Sequence, residues 1–273
     1  MKSILIIIGG MADDPSSCPE EESPLMIGNF SALPILAWRS LGASLNTVPA
    51  YLNVSQKNAL LNLLGYDARR GDVTETELME LGMGAPFSPE MPRFIIPTFS
   101  GHGSVVTFSP LMRGIGRMAF LNTPDLYAPG ASLEDMLTML VKFAITLAEK
   151  DELVVVYTDA PAKASISRDY NAKVKVLELI DRLLLNPMAD YVWHSKEKML
   201  LAITSDIIMS SHTGKPVKGP VPTLVYYNDK EFRGIPYSYH ESCGGMPVFS
   251  PYPGNVLIEE LCFFDLDAKE SEE

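Results

Sequence analysis

Three nearly continuous apolar runs, Ile4–Ile8, Leu153–Tyr157 and Leu200–Thr204, constrain this 273-residue chain more than any other feature. A strand with one wet face alternates apolar and polar residues. A strand that is apolar at every position has no side to turn to water and must be covered on both faces. Such strands belong to parallel sheets enclosed by helices. Segments of helical period lie among them. Pro34–Gly42 carries Ile35, Leu36, Trp38 and Leu41, Asn58–Leu64 repeats the pattern, and Asn171–Leu185 aligns Val174, Leu177, Ile180 and Leu184. Pro222–Tyr227 reads as a fourth strand. The expected fold is α/β: one domain over residues 1–264, with a mostly parallel sheet flanked by helices on both faces. Residues 82–103 read as a surface connection, and the acidic stretch 265–273 as a disordered tail.

Charge and cysteine usage narrow the function. A formal net charge of −12 leaves no basic face for nucleic acid and disfavours an anionic membrane surface. Ile4–Ile8 is too short for a signal-peptide core and far too short to span a bilayer, so a cytoplasmic protein is expected. Three cysteines without a CxxC pair support neither a disulfide framework nor a cysteine zinc site. His102, His194, His212 and His240 stand alone, without HxH or HExxH spacing. Gly9-Gly10 follows a strand but belongs to no GxGxxG or GxxxxGK[ST] motif, so it reads as a tight turn. Parallel sheets bind ligands outside the carboxyl ends of their strands. Asp159 and Asp206, each just past a strand, belong to that edge.

In chain order, Ile8-Gly9-Gly10-Met11-Ala12-Asp13, Glu22-Ser23-Pro24-Leu25, Leu63-Leu64-Gly65-Tyr66-Asp67, Gly114-Ile115-Gly116, Thr158-Asp159, Lys173 to Asp181, Thr204 to Asp206, Pro220-Val221-Pro222 and Glu241 to Gly245 form a series. Together they resemble the archaeal-type cofactor-independent phosphoglycerate mutases of the alkaline phosphatase superfamily. The resemblance implies that superfamily's α/β core. It also implies a lid domain between Asp67 and Gly114, where this chain has room for little more than a long loop. Family members use two divalent cations to activate a serine nucleophile and to neutralise the transferring phosphoryl group. The implied metal-ligand positions fall here on Gly9, Asp159, Lys163, Asp206, Ile207 and Pro216, and the nucleophile position on Gln56, with Ser55 one residue away. Of these only Asp159 and Asp206 carry a usable metal-binding side chain.

The expectation that follows is a degenerate homologue without mutase activity and without a cofactor, retained as a small-anion-binding or partner-binding protein. The alternative is a residual phosphomutase or phosphohydrolase acting on a phosphorylated small acid, with Asp159 and Asp206 holding one weakly bound Mn or Zn. A site rebuilt from Ser55, His212 or Asp13 is a further form of that alternative. Lys163 is read either as one half of a plain ion pair or, with Lys57 and Arg168, as an anion pocket. A third reading is a homo-oligomer that buries the rim around Met83–Pro97 against another copy.

Overall fold

The computed structural model describes residues 1–67, 69, 72–96, 101–229, 239–241 and 252–263. The tail 265–273 and the stretch 242–245 lie outside the described residues.

The elements follow in the order β1 (Lys2–Ile8), α1 (Pro24–Ile27), α2 (Leu33–Arg39), β2 (Leu41–Asn46), α3 (Gln56–Leu63), α4 (Glu75–Gly82), β3 (Gly103–Thr107), α5 (Pro110–Met118), α6 (Leu133–Ala148), β4 (Leu153–Thr158), α7 (Ala160–Ile166), α8 (Tyr170–Ile180), α9 (Asn186–Trp193), β5 (Met199–Ser205), β6 (Ile208–Met209), β7 (Pro216–Val217), β8 (Val221–Tyr227), β9 (Tyr252–Pro253) and α10 (Gly254–Phe263). Among the described residues, seven strands form one sheet in the order β3-β4-β1-β5-β8-β2-β9, parallel throughout except for β8. β6 and β7 form a small separate ribbon.

The three apolar runs sit side by side at the centre, with Ile4 paired to Val154 on one flank and to Leu201 on the other. Their side chains alternate between two cores. Leu5, Ile7, Val155, Tyr157 and Ala202 face a layer built with Leu60, Leu78, Ile115 and Ile258 from α3, α4, α5 and α10. Ile4, Ile6, Val154, Val156 and Leu201 face a layer built with Leu36, Leu140, Leu177 and Val192 from α2, α6, α8 and α9. Continuous hydrophobicity in the strands is thus explained by two cores rather than one. No helix among the described residues is long and apolar enough to cross a membrane.

Helix ends are tied by side chains. Ser132 and Asp135 form a capping box on α6, and Thr74 and Glu77 form another on α4. The start of α2 has no cap of its own. Instead Asp181, just past α8, accepts hydrogen bonds from Ser31 N (2.6 Å), Ala32 N (3.0 Å) and Leu33 N (2.8 Å). α4 and α5 meet at two glycines. A Cβ on Gly114 would overlap the Leu78 carbonyl, and one on Gly82 would overlap that of Pro110.

Two elements differ from the sequence reading. The helix expected over Pro34–Gly42 ends at Arg39, and Leu41 opens β2, which pairs antiparallel with β8. The helix expected over Asn171–Leu185 ends its regular part at Ile180, widens into a π turn over Asp181–Leu185 and continues as α9. Pro187, in the first turn of α9, cannot donate a backbone hydrogen bond, and a wider turn ahead of it accommodates that loss. The described residues between α4 and β3 form neither helix nor strand.

Candidate functional site at the carboxyl edge of the sheet

β1, β4 and β5 deliver their carboxyl ends next to one another, and the residues just past them converge. Gly9 and Gly10 follow β1, Asp159 follows β4, and Asp206 follows β5. Gly10 adopts φ +66°, and its turn lies against Ala162 of α7 so closely that a Cβ would stand 2.8 Å from that residue's Cα. Only glycine meets both demands.

Asp206 is fully buried and anchors the centre. One carboxylate oxygen accepts the backbone N–H groups of Gly10 (2.7 Å) and Ile207 (2.6 Å). The other accepts the Gln56 amide (2.9 Å) and the Tyr157 hydroxyl (3.1 Å). Gln56 also donates to the Tyr157 oxygen at 3.0 Å, which closes a triangle. All four donors to Asp206 are formally neutral. Burial therefore outweighs them and pushes its pKa up from 3.8 to about 6. Tyr157 is likewise raised well above its ordinary value, first by burial and then by the Asp206 charge. The triangle occupies the ground beside Gly9, where a Cβ would lie 2.6 Å from the Tyr157 hydroxyl and 3.0 Å from the Gln56 amide.

Asp159 and Lys163 form a separate pair. Their side chains meet at 2.9 Å across one turn of α7, with Lys163 67% exposed and Asp159 27% exposed. The other expected residues put their side chains to other uses, although the Ile207 N–H belongs to the Asp206 group. Lys57 binds Asp72 (3.1 Å) and the Val73 carbonyl (2.8 Å). Arg168 is exposed just past α7 in a left-handed conformation (φ 56°). Ser55 caps α3 by accepting from Asn58 N. Ile207 is buried, whereas Pro216 and His212 are exposed. Among the described residues, no three His, Cys, Asp or Glu side chains are grouped so as to hold a metal ion.

A second buried polar centre lies behind the β1 turn. The Lys173 ammonium is wholly enclosed and bonds Asp13 (2.9 Å), the Ala12 carbonyl (3.1 Å) and the Met209 carbonyl (2.7 Å). Asp13 also accepts from Ser211 N, and its own N–H donates to Glu241 (2.8 Å), whose other oxygen accepts from Ser23 (2.5 Å). Burial lowers the Lys173 pKa, raises that of Glu241, and pushes the neighbouring Cys18 thiol up to about 12. That thiol is therefore a poor nucleophile.

Tyr157 and Lys173 are absent from the sequence-based candidates, although each leaves a trace. A phenol inside an otherwise aliphatic strand needs a buried hydrogen-bond partner. Lys173 stands four residues before Leu177 and seven before Ile180, so it falls on the apolar stripe of α8.

No protein-family model matches the chain. The 2,3-bisphosphoglycerate-independent phosphoglycerate mutase of Methanosarcina mazei is 25% identical over 151 residues, which span 54% of this chain but 37% of that protein. Among solved structures, the PH0037 protein of Pyrococcus horikoshii superposes with a TM-score of 0.79 at 16% identity, covering 96% of both chains. The cofactor-independent phosphoglycerate mutase of Thermoplasma acidophilum gives 0.66 at 14% identity, over 96% of this chain and 99% of that one. The alkaline phosphatase of the Antarctic bacterium TAB5 gives 0.56 at 9% identity, over 95% and 96%. At such identities the structural likenesses establish the fold, while the sequence matches carry the kinship. The chain is weakly homologous to the archaeal cofactor-independent phosphoglycerate mutases and has an alkaline phosphatase-like core.

Proposed function

We propose that this protein is a non-catalytic homologue of the cofactor-independent phosphoglycerate mutases, in which a hydrogen-bonded lock replaces the two-metal centre and the carboxyl edge serves for binding. The observation that carries the reading is the Gln56–Tyr157–Asp206 triangle. A divalent cation needs carboxylate or imidazole lone pairs aimed at a common point. Asp206, the one buried carboxylate at these positions, already has both oxygens doubly occupied. The ground beside Gly9 holds a phenol and an amide instead. Gln56, at the nucleophile position, has no hydroxyl to phosphorylate. Asp159 is neutralised by Lys163 rather than by a metal. These residues do not fit a two-cation site.

The connection from α4 to β3 points the same way. A lid that excludes water separates phosphoryl transfer from hydrolysis, and the described part of residues 83–102 forms no helix or strand that could build one. Exposed Lys163 remains the natural contact for an anionic group on a small ligand.

Isothermal titration of the metal-stripped protein with Mn²⁺ and Zn²⁺ tests the reading. The expected result is no site-specific heat in either titration and no isomerisation of 3-phosphoglycerate. Tight, saturable metal binding that disappears in Asp159→Asn/Asp206→Asn would overturn it.

A further inference from the structure

A cavity of about 340 Å³ opens beside the Asp159–Lys163 pair, between α6, β4 and α7. Its interior is walled by Phe108, Met136, Leu140 and Val176, while Asp159 and Lys163 both belong to its lining. The volume is at the small end of the range of about 300–1,000 Å³ that holds small-molecule ligands. We infer that this cavity binds a small zwitterion with an apolar body, namely an α-amino acid of the leucine, methionine or phenylalanine type. The inference rests on the reading that the carboxyl edge binds rather than catalyses.

The argument is one of charge and shape. The walls reward an apolar group and offer a phosphorylated sugar acid almost nothing. The Asp159–Lys163 pair supplies one acid and one base 2.9 Å apart. A simple anion could pair with Lys163 but would meet Asp159, on a chain whose net charge of −12 already repels it. An α-amino acid carries an ammonium and a carboxylate on one carbon, so it can lie head to tail along the pair and satisfy both partners. The existing pair is no obstacle. Lys163 is two-thirds exposed, and such surface pairs are held weakly enough to exchange partners. The side chain of the ligand would then enter the cavity, where its apolar surface leaves water.

Titration of the whole 273-residue chain, stripped of metal, with L-leucine, L-methionine and L-phenylalanine, followed by NMR shifts and calorimetry, tests this. Phenethylamine, 3-phenylpropionate and inorganic phosphate serve as single-charge or apolar-free controls. At least one amino acid should bind saturably in the micromolar to millimolar range. The single-charge analogues should bind at least about tenfold more weakly, as should Lys163→Met and Asp159→Asn, the size of one lost charge-assisted hydrogen bond. Ala164→Phe, filling the cavity from α7, should abolish binding, and Met136→Trp provides the same block from α6 if the first variant folds poorly. Absence of amino-acid binding, equal binding of the analogues, or binding undiminished in a folded cavity-filled variant would each overturn the inference. The two readings fail differently, because metal heats at Asp159 and Asp206 would refute the non-catalytic assignment whatever the amino acids do.

Discussion

Asp206 makes the stability of this protein depend on pH in a direction opposite to that of an ordinary paired carboxylate. Its pKa rises from 3.8 to about 6 in the folded state, which corresponds to on the order of 3 kcal/mol of linked stability. The folded-state value lies above the unfolded one, so in the interval the folded protein holds a proton that the unfolded chain has released. The contribution is complete below about pH 4 and is lost as the pH rises through about 6. Integrated over an accessible window of about pH 4.5 to 7.5, it amounts to about 2 kcal/mol. The assay is urea unfolding of the wild type and of Asp206→Asn across that window. Asparagine keeps an oxygen for the Gly10 and Ile207 N–H groups and has no proton to exchange. Groups other than Asp206 titrate in both proteins, so the difference between the two curves isolates its proton. Relative to the variant, the wild type should lose about 2 kcal/mol from the acid to the alkaline end. A flat difference would refute the reasoning. A difference rising with pH would mean that Asp206 is held as an anion, as a metal site requires.

Three other perturbations separate the elements of the site. Lys173→Met leaves the buried Asp13 carboxylate without its cation and should cost about 3–5 kcal/mol, seen as a melting temperature lower by on the order of 10 °C. Gly9→Ala pushes a methyl into the Tyr157 hydroxyl and should cost about 1–3 kcal/mol in urea. The same change in a Tyr157→Phe background should cost less, and equal costs would show that the phenol does not fill that space. Asp181→Ala removes the carboxylate that caps α2 and should destabilise by about 1.5–3 kcal/mol in chemical denaturation, with no effect on amino-acid binding.

The sheet was legible because its three central strands are apolar at almost every position, and a parallel sheet covered on both faces hides such strands. β2 was obscure for the opposite reason. Leu41-Gly-Ala-Ser-Leu-Asn is short and weakly apolar, and it becomes a strand only because β8 lies beside it to accept the pairing. The candidate positions Gly9, Gln56, Asp159 and Asp206 could be placed along the edge from the motif series, yet their partners could not. Asp206 finds Gln56 and Tyr157 from two other elements, while Lys163 closes on its own helix. Which of two acids a base will meet depends on side-chain direction, which chain spacing leaves open. The Lys173 centre escaped notice for a related reason. A lysine on a helix reads as solvated until the segments carrying Asp13, Met209 and Glu241 are known to close over it.

The glycine contacts between α4 and α5 bear on how such a protein can change length over evolution. The two helices bracket residues 83–109, β3 among them, and backbone lying against backbone ties them together independently of whatever joins them. The ends of that stretch are therefore held in register by the core itself. Lengthening it costs only the slowly growing entropy of closing a longer loop. Shortening it is limited by Phe94 and Ile96, which are buried in the first core. Added length is therefore tolerated between these core residues and the helix ends, because the paired glycines hold the frame on which it hangs.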